Sequence, residues 1–160
     1  MAVTHKADLG HETVTMSSDV EVGRGHHLAV EIRSPDGAIW SGRATSLQVP
    51  ESLGLMGIMP RHAALLATLV AGLTTIHAED GRTVKIVTGD GFLEIASNRV
   101  LMLVDFGEDP AKVDVKRAQE ARDRAISRLR TPSEDVDYAR AEAALRRAMV
   151  RLRYGGEPKL

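Results

Sequence analysis

Two long stretches without glycine or proline, Ala111 to Leu129 and Glu134 to Tyr154, follow one another in the last third of the chain. Only Thr131-Pro132-Ser133 and its neighbours divide them, so the plain reading is two helices joined by a tight reversal. Ala118, Ala121, Ala125 and Leu129 recur at intervals of three and four, as do Ala141, Leu145, Ala148 and Leu152. Each helix therefore has one narrow apolar seam. Alanine lets two helices lie close but buries little area per turn, so the pair is expected to be only weakly stable alone.

Beside each seam runs a stripe of arginines. At 100° per residue Arg117, Arg124 and Arg128 fall within about 40° of one another, as do Arg140, Arg147 and Arg151. Two readings are open. The stripes are solvated faces with local ion pairs such as Glu120 to Arg124 and Asp137 to Arg140, or they are an anion site, because guanidinium groups present fixed forks of donors that match phosphate oxygens.

The formal net charge of -1 conceals a division along the chain. Residues 1 to 109 carry 8 Lys/Arg against 14 Asp/Glu, whereas residues 110 to 153 carry 12 against 7. An acidic body and a basic hairpin attract, so docking of one on the other, or of the hairpin on another acidic surface, is physically reasonable. Aromatic residues are only 3%, which disfavours base stacking and hence single-stranded nucleic acid as a partner. Without cysteine there is no disulfide framework or thiolate metal site, and the six histidines show no ligand spacing. No run of eighteen apolar residues and no charged-then-apolar leader occurs, so a cytosolic or peripheral protein without direct membrane insertion is expected.

Residues 1 to 25 are polar and without period, and read as a disordered or loosely attached extension. From Leu28 onward the pattern becomes short apolar stretches divided by turns. Leu28, Val30 and Ile32 alternate, Ser34-Pro35-Asp36-Gly37 is a turn, and Ile39 and Trp40 begin the next extended piece. Leu47 and Val49 lead into Pro50, and Gly54 and Gly57 flank an expected bend. Ala63 to Val70 suits a buried helix or a strand equally. Glu79-Asp80-Gly81-Arg82 is a hairpin signal, and Phe92 to Ile95 and Val100 to Val104 complete another around Asn98-Arg99. Many short strands at this spacing indicate an antiparallel sandwich or barrel. Gly89-Asp90-Gly91 lies between strands and reads as a turn, not a phosphate cradle. A nucleophile elbow, a P-loop and paired metal-ligand histidines are all missing, so no catalytic centre is visible.

Three motifs, in order and spacing, resemble the ε subunit of F-type ATP synthases: Leu55-Met56-Gly57-Ile58-Met59-Pro60-Arg61-His62, Gly89-Asp90-Gly91-Phe92-Leu93-Glu94-Ile95 and Val113-Asp114-Val115-Lys116-Arg117-Ala118. Asp137-Tyr138-Ala139-Arg140-Ala141-Glu142 and Leu145-Arg146-Arg147-Ala148 extend the likeness, which covers about Leu28 to Tyr154. The resemblance implies an α+β chain: a ten-stranded antiparallel β-sandwich over residues 26–107, a two-helix hairpin over 108–155 and a tail from 156 to 160. It also implies ATP as a regulatory ligand, held by Asp114 and Arg117 at the start of the hairpin and by Arg124, Arg147 and Arg151 from the helices, with Glu108 at a matching acidic position. Asp114 suits helix capping, or ordering Arg117, better than phosphate contact, since two anions repel. Three positions depart from the family's pattern: Arg61 and Asp90 stand where glycine is usual, and Val113 where isoleucine or leucine is commoner.

By the same resemblance the protein is a non-catalytic central-stalk subunit at the cytoplasmic face of the membrane. It would touch the γ subunit and the c-ring and, transiently, the α/β catalytic head, coupling ring rotation to ATP synthesis and restraining ATP hydrolysis through a mobile, ATP-sensitive hairpin. The alternative is a free-standing nucleotide or anion sensor with the same fold, which would lack apolar docking edges on the sandwich.

Overall fold

The computed structural model describes residues 25–130 and 137–156. The expected extension, the Thr131-Pro132-Ser133 reversal and most of the tail lie outside them. Nine strands come first: β1 (Leu28–Ser34), β2 (Gly37–Glu51), β3 (Gly54–Ile58), β4 (Leu65–Leu69), β5 (Gly72–Ala78), β6 (Thr83–Thr88), β7 (Gly91–Ala96), β8 (Arg99–Val104) and β9 (Gly107–Glu108). A 3-10 turn at Pro110–Lys112 leads to α1 (Val115–Arg130) and α2 (Tyr138–Tyr154).

The strands run β4-β7-β8-β1-β2-β5-β6-β9, with β3 on β2. Every pair is antiparallel except β1 with β8, which is parallel. Against an expected ten, nine strands lie among the described residues, and the long β2 pairs in turn with two strands along one edge. Its first part pairs with β1 as far as Ala44, and beyond an irregularity between Ala44 and Ser46 the edge that β1 leaves is taken by β3 from Leu47. A long strand that changes partners at such a break bends from one layer into the other. The alternation expected for β1 holds, with Leu28, Val30 and Ile32 buried. They join Leu47, Val49, Ile58, Ile76, Leu93, Ile95, Val100 and Met102 in the main core.

The structure corrects or resolves several local expectations. Ala63 to Val70 contains strand β4, in which burial alternates instead of being continuous. The bend placed between Gly54 and Gly57 is strand β3, and the reversal falls earlier, at Ser52 and Leu53. Glu108 belongs to β9, paired with Val87 of β6, and so to the sandwich edge rather than the hairpin. Arg61 adopts φ 69, the left-handed conformation that glycine favours, and its N–H donates to Asn98 Oδ1 at 2.6 Å. Residue 61 thus keeps a backbone conformation that a glycine there would favour, and Asn98, in the turn between β7 and β8, holds it. Gly91 is required by close approach, because a Cβ there would meet the Leu103 carbonyl of β8.

Both helices begin on aspartate caps. Asp114 Oδ1 accepts from the Arg117 N–H (2.9 Å) and Asp137 Oδ1 from the Arg140 N–H (2.9 Å), each satisfying an otherwise orphan donor of the first turn. Asp137 and Arg140 were an expected ion pair; the carboxylate instead takes the backbone. The buried helix residues are Ala118 and Ala125 on α1 and Ala141, Ala148 and Val150 on α2, which are two members of each expected seam plus one valine.

Candidate functional site

The hairpin rests on the sandwich, and the contact is small. Val150 of α2 and Val113, which precedes α1, are buried with Val87 of β6, and Ala71, Leu73, Phe106 and Tyr154 pack around them. Gly155 ends α2 against the same group, since a Cβ there would approach Val113 Cγ1 to 2.7 Å.

Ion pairs border this apolar contact. Arg151 grips Glu108 through two nitrogens, Nε to the two carboxylate oxygens at 3.1 and 3.2 Å and Nη2 to Oε1 at 2.6 Å. Its guanidinium also lies 4.0 Å from the centre of the Phe106 ring, a geometry in which the cation gains from the ring face. Glu108 and Arg151, two expected site residues, are thus brought together directly. Arg146 makes a second crossing to Asp90 Oδ2, at 3.3 Å from Nη2 and 3.4 Å from Nε.

The other expected site residues are placed differently. Asp114 acts as the cap, which agrees with the reading that preferred capping to phosphate contact. Arg124 has only a long approach to Glu120 on its own helix, 3.9 Å, and is exposed. Arg117 is exposed and Arg147 half-buried, and neither side chain has an acidic partner among the described residues. Chemically the hairpin offers donors of two kinds: Arg151 is neutralised by the sandwich, while Arg117, Arg124 and Arg147 retain donors for an anion. A surface cavity of about 730 Å³ lies elsewhere, lined by residues of β1, β2, β7 and β8. Among the described residues no group of three or more His, Asp or Glu is placed to hold a metal ion.

Sequence reasoning missed Asp90, Arg146 and Phe106. Asp90 carried one signal, its departure from the glycine usual at that turn. Arg146 lies outside the arginine stripes, and Phe106 precedes a strand too short to show a period.

Comparison with known proteins agrees with this architecture. Residues 27–110 match the family described as ATP synthase, Delta/Epsilon chain, beta-sandwich domain, and residues 112–155 its long alpha-helix domain. The chain is 38% identical over 129 residues to the ATP synthase epsilon chain of Moorella thermoacetica, covering 81% of this chain and 96% of that one. It is 43% identical over 113 residues to that of Symbiobacterium thermophilum, covering 71% and 81% respectively. A chain of the Euglena gracilis mitochondrial ATP synthase shares the fold with a TM-score of 0.67 at 18% identity, over 78% of this chain and 79% of that one. A chain of the Tetrahymena thermophila mitochondrial central stalk and c-ring gives 0.54 at 17% identity, over 78% and 92%. With both of its domains matched in order and close relatives spanning most of its length, the chain belongs to the ATP synthase epsilon family, whose members are non-catalytic stalk subunits.

Proposed function

We propose that this subunit couples rotation of the membrane ring to ATP synthesis and restrains ATP hydrolysis through a hairpin that ATP holds against the sandwich. The observation that carries the reading is the contrast between a docking contact of three buried valines and a sandwich core several times larger. A contact that small can open without unfolding the body. Arg117, Arg124 and Arg147 would take the phosphates, Asp114 would hold the start of α1 in place, and Glu108 would order Arg151. Charge-assisted hydrogen bonds contribute about 1.5 to 3 kcal/mol each, and a ligand that binds only the closed form at a hundred times its Kd adds about 2.7 kcal/mol. That suffices to reverse a balance of a kcal/mol or two.

Two exposed apolar surfaces support partners on the γ subunit and the c-ring. One runs along the edge strand β3 and its flanks, carrying Leu53, Leu55 and Met59, with Leu53 94% exposed. The other is the outer face of β4, β7 and β8, where Leu66 is exposed and Phe92 pairs with Leu103. No helix among the described residues is long and apolar enough to cross a membrane. A peripheral place at the cytoplasmic face of the cell membrane, within the complex, follows from the proposed partners.

Titration calorimetry with the full chain tests the ligand. ATP binding is expected, weakened about tenfold or more by Arg117→Ala and by Arg147→Ala, each of which removes a charge-assisted donor. Absence of binding, or indifference to both substitutions, would refute the ATP latch and leave the family membership intact.

A further inference from the structure

Asp90 occupies the turn between β6 and β7, and its carboxylate is used twice. Oδ1 accepts from the Ala71 N–H at 2.7 Å, a bond internal to the sandwich. Oδ2 faces outward and receives Arg146 of α2. The first bond fixes the carboxylate so that the second is offered to the hairpin from a rigid base. Five residues along α2, Arg151 makes the other crossing, and Val150, buried in the docking contact, lies between them in sequence. The side chains of Arg146 and Asp90 are 56% and 34% exposed, so salt screens their attraction.

We propose that Asp90 and Arg146 form a nucleotide-independent clasp that holds the hairpin on the sandwich and loosens as ionic strength rises. A glycine at residue 90 would supply neither bond. The clasp sets the balance on which any ligand of the arginine stripes then acts, but it does not depend on such a ligand. The hairpin of this chain is therefore biased toward the docked form even when no phosphate is present.

The test measures the docked fraction. Because the chain has no cysteine, Gln48→Cys on β2 and Gln119→Cys on α1 provide two unique sites for a fluorescent pair in the full-length protein. In nucleotide-free buffer of low ionic strength, Asp90→Asn and Arg146→Gln are each expected to lower the docked-to-open ratio about two- to fivefold, the range of exposed ion pairs. The double variant should fall no further than either single one, because the same contact is lost. Raising salt from about 10 to 150 mM, which shortens the screening length from about 30 to 8 Å, should bring the unsubstituted chain toward the variants. Asparagine at 90 can still accept from Ala71, so an unchanged unfolding midpoint of the sandwich separates loss of the clasp from loss of the turn. Single variants as closed as the parent chain, or losses that simply add in the double variant, would overturn the clasp. Repeating the series with ATP distinguishes the two proposals. If ATP shifts no variant while the variants differ in its absence, the nucleotide latch is wrong and the clasp stands.

Discussion

The sandwich and the hairpin differ in what holds them. Fifteen buried side chains, nearly all branched aliphatics, interlock in the main core of the sandwich. The hairpin buries alanines along its seams and reaches the sandwich through Val150, with Val113 and Val87. Branched side chains from facing layers remove large apolar areas and must fit together, which makes the body cooperative. Alanine seams bring helices together with little loss of area on separation. Stability is thus concentrated in the part that must keep its shape, and the part read as movable is fastened by contacts that can be undone one at a time.

The largest effect should come from breaking the body. Leu93, fully buried on β7, should cost about 2 to 5 kcal/mol when replaced by alanine, because a cavity is left where neighbouring strands cannot collapse. Denaturant titration should show one lower midpoint for the whole sheet. A hairpin-only effect of Leu93→Ala would mean that the two regions are not separate stability units.

The opposite substitution acts at the fastening. Val150→Asp places a carboxylate in the docking contact, forfeiting about 1.5 kcal/mol or more of apolar burial and adding a desolvation cost. Amides of α2 should exchange with solvent at least about tenfold faster, while the sandwich keeps its unfolding midpoint. If the midpoint falls as far as with Leu93→Ala, the hairpin is an integral part of the core and the contrast is wrong.

What could be read from the sequence followed the same division. The strands with clean alternation, such as Leu28, Val30 and Ile32, declared their inward faces, because a period of two has one physical meaning in a half-buried strand. Residues 63 to 70 did not, since an apolar run has no period, and Leu66 in fact points outward. The seams were legible as three- and four-residue repeats, and Ala118, Ala125, Ala141 and Ala148 among them are buried. The contacts between the regions were illegible in principle. Asp90 and Arg146 are 56 residues apart, and neither pattern nor propensity links a turn in the body to a helix face in the hairpin. Glu108 entered through the family resemblance, but its role as the seat of Arg151 depends on a two-residue strand that no periodicity can reveal.

The smallest effect concerns Asp114, where cap and ligand roles can be separated. Its carboxylate takes the Arg117 N–H at the first turn of α1. Alanine removes that acceptor and should cost about 1 kcal/mol of hairpin stability, whereas asparagine caps almost as well and should cost only a few tenths. If Asp114 serves ATP only by holding α1 in place, affinity must follow hairpin stability: nearly unchanged in Asp114→Asn and reduced in Asp114→Ala. Binding lost in Asp114→Asn with α1 still fully formed by circular dichroism would show instead that the charge itself meets the ligand. The arginine site would then include an acidic contact to a nucleotide amino or hydroxyl group, and the hairpin would carry recognition as well as fastening.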